Sequence, residues 1–111
     1  MENDCLRFMS RIEKLIEYLA ASPSDSFLQH ALALEYVKAG NDAEARELFE
    51  NILEKTPDYV GSYYHLAKLL ERSDEIDDAK QWYERGLAAA KSAGDTHSYN
   101  ELQMAWEDLL D

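Results

Sequence analysis

At 111 residues the chain has the length of one domain with a modest core, and its 46% apolar and 31% charged residues are those of a folded protein. It carries 23 acidic against 11 basic residues, a net charge of −12, and no Lys/Arg cluster of the kind that binds phosphate backbones. Nucleic acid and anionic membrane surfaces are therefore excluded as expected partners, and the acidic excess reads as solvated helix faces.

In chain order, the first predicted helix carries Leu6, Met9, Ile12, Leu15, Ile16 and Leu19, one apolar stripe at three- and four-residue spacing. It stops at Ser22-Pro23, because the residue before proline is pushed out of the helical region. Ser24 or Asp25 can cap a second helix bearing Phe27, Leu28, Ala31, Leu32, Glu35 and Tyr36. Gly40 sits where a left-handed residue ends that helix, and Asn41 or Asp42 can cap the next. The third helix carries Ala45, Leu48, Phe49, Ile52 and Leu53 before Thr56-Pro57-Asp58 breaks it and caps a fourth, with Tyr63, Leu66, Ala67 and Leu70 inside. Ser73-Asp74 turns into a fifth helix with Ile76, Ala79, Trp82, Tyr83, Gly86 and Leu87. Gly94-Asp95 repeats the stop-and-cap arrangement ahead of a last helix bearing Tyr99, Leu102, Trp106, Leu109 and Leu110, where Asp95 competes with a Ser98-to-Glu101 capping box.

Shifting the sequence against itself by 34 residues aligns Pro23 with Pro57, Leu32-Ala33 with Leu66-Ala67, Ala45 with Ala79, Phe49 with Tyr83 and Leu53 with Leu87. The matches fall at positions that face other helices, as they do when packing alone is held constant between repeats. The pattern resembles the tetratricopeptide repeat family, and short bacterial-type members of it in particular: Leu32-Ala33, Tyr36, Ala45, Phe49 and Pro57 in one unit, Tyr63, Leu66-Ala67, Leu70, Ala79 and Tyr83 in the next. Departures are Gln29 where the second unit has Tyr63, Asp74 opposite Gly40, and Lys91 in place of a proline.

The resemblance implies an all-α fold: a right-handed superhelix of two helix-turn-helix repeats (24–57 and 58–93) between an N-terminal half-repeat helix (4–22) and a C-terminal capping helix (95–111). Counting back 34 from Ala45 reaches Arg11, so the first helix reads as the second half of a repeat, with no partner helix pressing on that position. The resemblance further implies a concave groove lined by the first helix of each repeat. Candidates for its peptide-binding surface are Phe27, His30 and Leu34, then Tyr64, His65 and Lys68, with Ala31 and Gly61 between them. The implied function is that of an adaptor holding a peptide or protein segment, apolar with basic flanks; the alternative is a self-assembling unit, a weak homodimer without a peptide ligand. Lys68 is the only Lys or Arg among the candidates, which argues against a clamp for acidic tails.

No enzyme is expected: the chain has no Gly-rich phosphate loop, no nucleophile elbow and no His-Glu-x-x-His, and Ser26 and Ser62 have no base at readable spacing. Asp77-Asp78 and Glu107-Asp108 diverge on a helix and read as solvated faces. Adjacent repeats can bring His30 and His65 near each other, but without a third ligand neither metal nor cofactor is expected; His97 falls in a polar turn. Cys5, the only cysteine, permits no internal disulfide, the acidic Met1–Asp4 opening is unlike a signal peptide, and no run reaches the ~20 apolar residues of a membrane span. The reducing cytoplasm is the expected location.

Overall fold

Each helix begins at a capping polar side chain or directly behind a tight turn. The computed structural model describes residues 10–110, which form α1 (Arg11–Ala21), α2 (Ser26–Lys38), α3 (Asp42–Lys55), α4 (Gly61–Arg72), α5 (Ile76–Ala93) and α6 (Thr96–Leu110). Ser10 caps α1 in a capping box: the Glu13 amide donates to Ser10 Oγ at 3.1 Å, and the Ser10 amide reaches back to Glu13 Oε1 at 3.5 Å. The expected continuous first helix is thus capped within its own stripe; Cys5, Leu6 and Met9 lie outside the described residues. Among the described residues of that stripe only Leu15 is buried, and Ile16 remains 48% exposed; α1 packs chiefly on α2.

At the other helix starts the competing caps are decided. Asp25 rather than Ser24 caps α2, accepting from the Leu28 amide at 3.1 Å. Asp95 caps α6, accepting from the Ser98 amide at 3.1 Å and the Ser98 hydroxyl at 2.7 Å, which leaves Ser98 inside the helix and His97 exposed in its first turn. Two expected caps are absent. Asn41 makes no side-chain bond to α3, and α4 starts at Gly61 behind a backbone turn, not at Asp58. In that turn the Tyr59 amide donates to the Thr56 carbonyl at 3.0 Å. Asp74 takes φ +62° where the equivalent Gly40 takes +81°, so the left-handed turn is kept although its glycine is not.

Neighbouring helices pack antiparallel as α2 on α3 and α4 on α5; α3 packs on α4, α2 touches α4, and α6 closes the α5 side. The right-handed superhelical stack measures 55 × 29 × 21 Å, and its radius of gyration of 15.5 Å exceeds the ~13 Å of a compact chain of about this size. Ala33, Ala45, Ala67 and Ala79 are fully buried at the close helix contacts, and Phe49 and Tyr83 fill the space between pairs. Arg11, at the position of Ala45 and Ala79, instead projects to solvent and its Nε donates to Glu35 Oε2 at 3.2 Å.

The Gln29 departure also has a physical account. Tyr63 Oη donates to the Pro57 carbonyl at 2.5 Å, and Gln29 Nε2 donates to the equivalent Pro23 carbonyl at 2.9 Å. The amide replaces the phenol as donor and keeps the turn tied to the helix, at the cost of a buried Oε1 without a partner. Where α4, α5 and α6 converge, Gly86 is the spacer: a β-carbon there would lie 2.7 Å from Tyr63 Cβ and 3.1 Å from Leu102 Cδ1.

Candidate functional site

The six candidate residues stand on α2 and α4, at helical spacings that put each set along one side: 27, 30 and 34, then 64, 65 and 68. The two helices meet there, with a Gly61 β-carbon position 3.9 Å from His30 Cε1. The structure separates the six into two groups.

His30 and His65 form the seam between the helix pairs. Their ring centroids are 5.5 Å apart; His30 packs edge-on to Phe49 at 5.7 Å, and His65 stacks on the same ring at 6.2 Å. Burial, with His65 beside it, lowers the His30 pKa to about 4. Burial also lowers that of His65, opposed by the nearby Glu101 carboxylate. Both rings are neutral at pH 7 and bring no positive charge to this side of the molecule. Among the described residues no group of three or more His, Cys, Asp or Glu side chains converges on a metal position.

His30 has a partner that sequence spacing did not reveal. Its Nδ1 lies 2.8 Å from Ser62 Oγ, a residue 32 positions away brought close by the α2–α4 contact. A serine beside an imidazole is the arrangement of an activated nucleophile. Ser62 is, however, fully buried, so its hydroxyl meets no substrate and the pair serves to satisfy two polar groups in the seam.

Phe27, Leu34, Tyr64 and Lys68 form the outward group. Phe27 is 70% exposed, whereas Leu34 and Tyr64 are half-buried against the core. Tyr64 meets His65 and Tyr83 edge-on at 5.6 and 6.5 Å. Lys68 Nζ lies 5.7 Å over the Tyr64 ring and 3.6 Å from Glu71 Oε2, so its charge is locally offset. Glu71 also accepts from Tyr83 Oη, and burial together with that carboxylate raises the Tyr83 pKa.

The sequence reading missed the contribution of α6. Tyr99, Leu102 and Trp106 repeat the spacing of Tyr63, Leu66 and Leu70, 36 residues on. That register puts Glu101 at the His65 position, in agreement with its effect on that ring, and Met104, 69% exposed, at the Lys68 position. A cleft of about 1060 Å³ lies elsewhere, between α3 and α5, and none of the six candidates lines it.

The tetratricopeptide repeat family model matches residues 36–98. The chain is 30% identical over 91 residues to a tetratricopeptide repeat-containing protein of Pseudomonas aeruginosa, covering 82% of this chain and 87% of that one. It is also similar to a tetratricopeptide repeat domain protein from Salinibacter ruber whose solution structure is known, with 45% identity and a TM-score of 0.75 over 78% of this chain and 88% of the other. The solution structure of a Bordetella parapertussis protein superposes with a TM-score of 0.81 at 28% identity, covering 93% of this chain and 90% of the other.

Proposed function

The chain belongs to the tetratricopeptide repeat family, a family of protein-interaction scaffolds, and we propose that it holds a segment of another protein across the side formed by α2, α4 and α6. In this reading residues 24–57 and 58–93 are the repeats, 4–22 an N-terminal half-repeat and 95–111 the closing helix. The observation that carries it is the exposure of large apolar side chains on two first-type helices, Phe27 on α2 and Met104 on α6, with Tyr64 and Lys68 between them. Isolated exposed apolar residues are ordinary, but a set spread across adjacent helices on one side offers anchors for a partner. Glu71 and Glu101 at the edge and the net charge of −12 favour a segment that is apolar with basic flanks, arriving faster at low salt.

The test is capture of partners from source-cell extract on immobilised protein. Phe27→Ala combined with Tyr64→Ala should lose the captured protein with circular dichroism unchanged, whereas Tyr63→Ala should chiefly cost thermal stability, because Tyr63 is 5% exposed and ties down the Pro57 turn. Capture that survives in the folded double variant removes this side as the site. Self-association is the second reading, favoured by Ile16 and Tyr18 exposed on α1 and Leu110 on α6. Light scattering across concentration separates it from the first.

A further inference from the structure

A cleft of about 1060 Å³ lies between α3 and α5. Its floor is Leu53 and Tyr63, both buried. The cleft runs along both helices; α5 continues to Ala93 whereas α3, 34 residues earlier in register, stops at Lys55, so the last turn of α5 stands opposite the Pro57-Asp58 loop. The α5 wall is built of small side chains, Ala88 and Ala89, with the half-buried Trp82 at one end.

The two walls differ in chemistry. The α3 side presents Glu47, Glu50 and Glu54, continued by Asp58 in the loop. Glu50 is engaged by Arg46 at 3.5 Å, but Glu47, Glu54 and Asp58 take part in no ion pair among the described residues. Glu47 and Glu54 are two turns apart on one side of α3, a separation of about 10 Å. Opposite them stands one cation, Arg85, whose guanidinium carbon lies 4.8 Å over the Trp82 ring. That stack shows a planar cation seated on this wall in geometry suited to cation–π attraction. A cleft with carboxylates on one rim and aromatic and methyl surface on the other concentrates negative potential where apolar contact is also available.

We propose that this cleft is a docking site for a basic amphipathic segment of a partner protein, with Lys or Arg side chains on Glu47, Glu54 and Asp58 and apolar side chains over Trp82 and Ala89. It is separate from the side formed by α2, α4 and α6, and neither site depends on the other.

The probe is a synthetic amphipathic helical peptide of about 15 residues, with Lys two turns apart beside a Leu face, titrated into ¹⁵N-labelled protein. The chain has two tryptophans, so the indole N–H signals separate the surfaces: Trp82 lies in the cleft, and Trp106 lies outside it, donating from Nε1 to Glu84 Oε2 at 3.2 Å. The Trp82 signal should move and saturate while that of Trp106 stays, and a peptide with Glu in place of Lys should move neither. Glu47→Gln with Glu54→Gln should weaken binding about tenfold, as loss of close charge pairs does. Glu17→Gln with Glu107→Gln, which removes equal charge elsewhere, should leave binding within about twofold. Equal weakening by both pairs would mean that the overall charge attracts the peptide and would overturn the site. Loss of binding in Phe27→Ala with Tyr64→Ala, or a still Trp82 signal at saturation, would overturn it as well.

Discussion

Gly86→Ala sets two known effects against each other at the convergence of α4, α5 and α6. In an open helix, replacing glycine by alanine stabilises by about 1 kcal/mol through backbone entropy. Here the new β-carbon would stand 2.7 Å from Tyr63 Cβ, 3.1 Å from Tyr63 Cγ and 3.1 Å from Leu102 Cδ1. Carbon atoms pack best at about 3.5–4.0 Å, so α4 and α5 must part by roughly 1 Å. The Leu102 methyl can rotate away, but Tyr63 Cβ is fixed to the α4 backbone, and the phenol is held by its bond to the Pro57 carbonyl. Overpacking costs ~1–3 kcal/mol, and against an atom fixed to the backbone it falls in the upper part of that range, about 2–3 kcal/mol; less the propensity gain, the net loss is about 1–2 kcal/mol. For a domain of this size that corresponds to a fall in Tm of roughly 4–9 °C. The control is Gly61→Ala, where the nearest atom, His30 Cε1, lies at an ordinary 3.9 Å; it should raise Tm slightly. Thermal melts followed by circular dichroism decide the matter. A Gly86→Ala protein that melts at or above wild type would refute the account of Gly86 as a helix spacer.

Asp74→Gly should stabilise by about 0.5 kcal/mol, because it relieves a left-handed non-glycine residue at φ +62° at some cost in chain entropy; denaturant melts should show a raised midpoint with unchanged slope. Ala45→Leu and Ala79→Leu, at fully buried contacts, should each cost ~1–3 kcal/mol, whereas Arg11→Leu should cost little because its side chain is 67% exposed; equal losses in melting temperature would contradict the unpartnered position of Arg11. The His30 pKa is depressed to about 4 from its ordinary 6.5, so between those values the unfolded chain binds more protons than the folded one. Its contribution is therefore fully present above pH 6.5 and lost as pH falls toward 4. His30→Gln should flatten the stability–pH curve in that window, measured by urea melts; an unchanged slope would place the acid sensitivity elsewhere.

The helices, their order and their repeat were legible in the sequence because they rest on local rules. Leu and Ala recur at the spacing of a helix face, Gly40 and Gly94 stop helices in the left-handed region, and Pro23 and Pro57 recur at the same offset as the residues packed above them. Some caps were open from sequence for the same local reason: Ser24 and Asp25 both carry acceptors, and only the path of the chain into α2 selects Asp25. The geometry of the candidate site was legible only in part. Helical spacing placed Phe27, Leu34, Tyr64 and Lys68 on α2 and α4 and Glu71 one turn from Lys68, but it carries no information about how deep a ring sinks. The contact of α2 with α4 decided that His30 and His65 are neutral seam residues and that Ser62 is the buried hydrogen-bond partner of His30. The cleft between α3 and α5 is lined from two helices that never adjoin in sequence. A repeat pattern determines what each helix turns toward its neighbours; the space left between helices exists only once they are stacked.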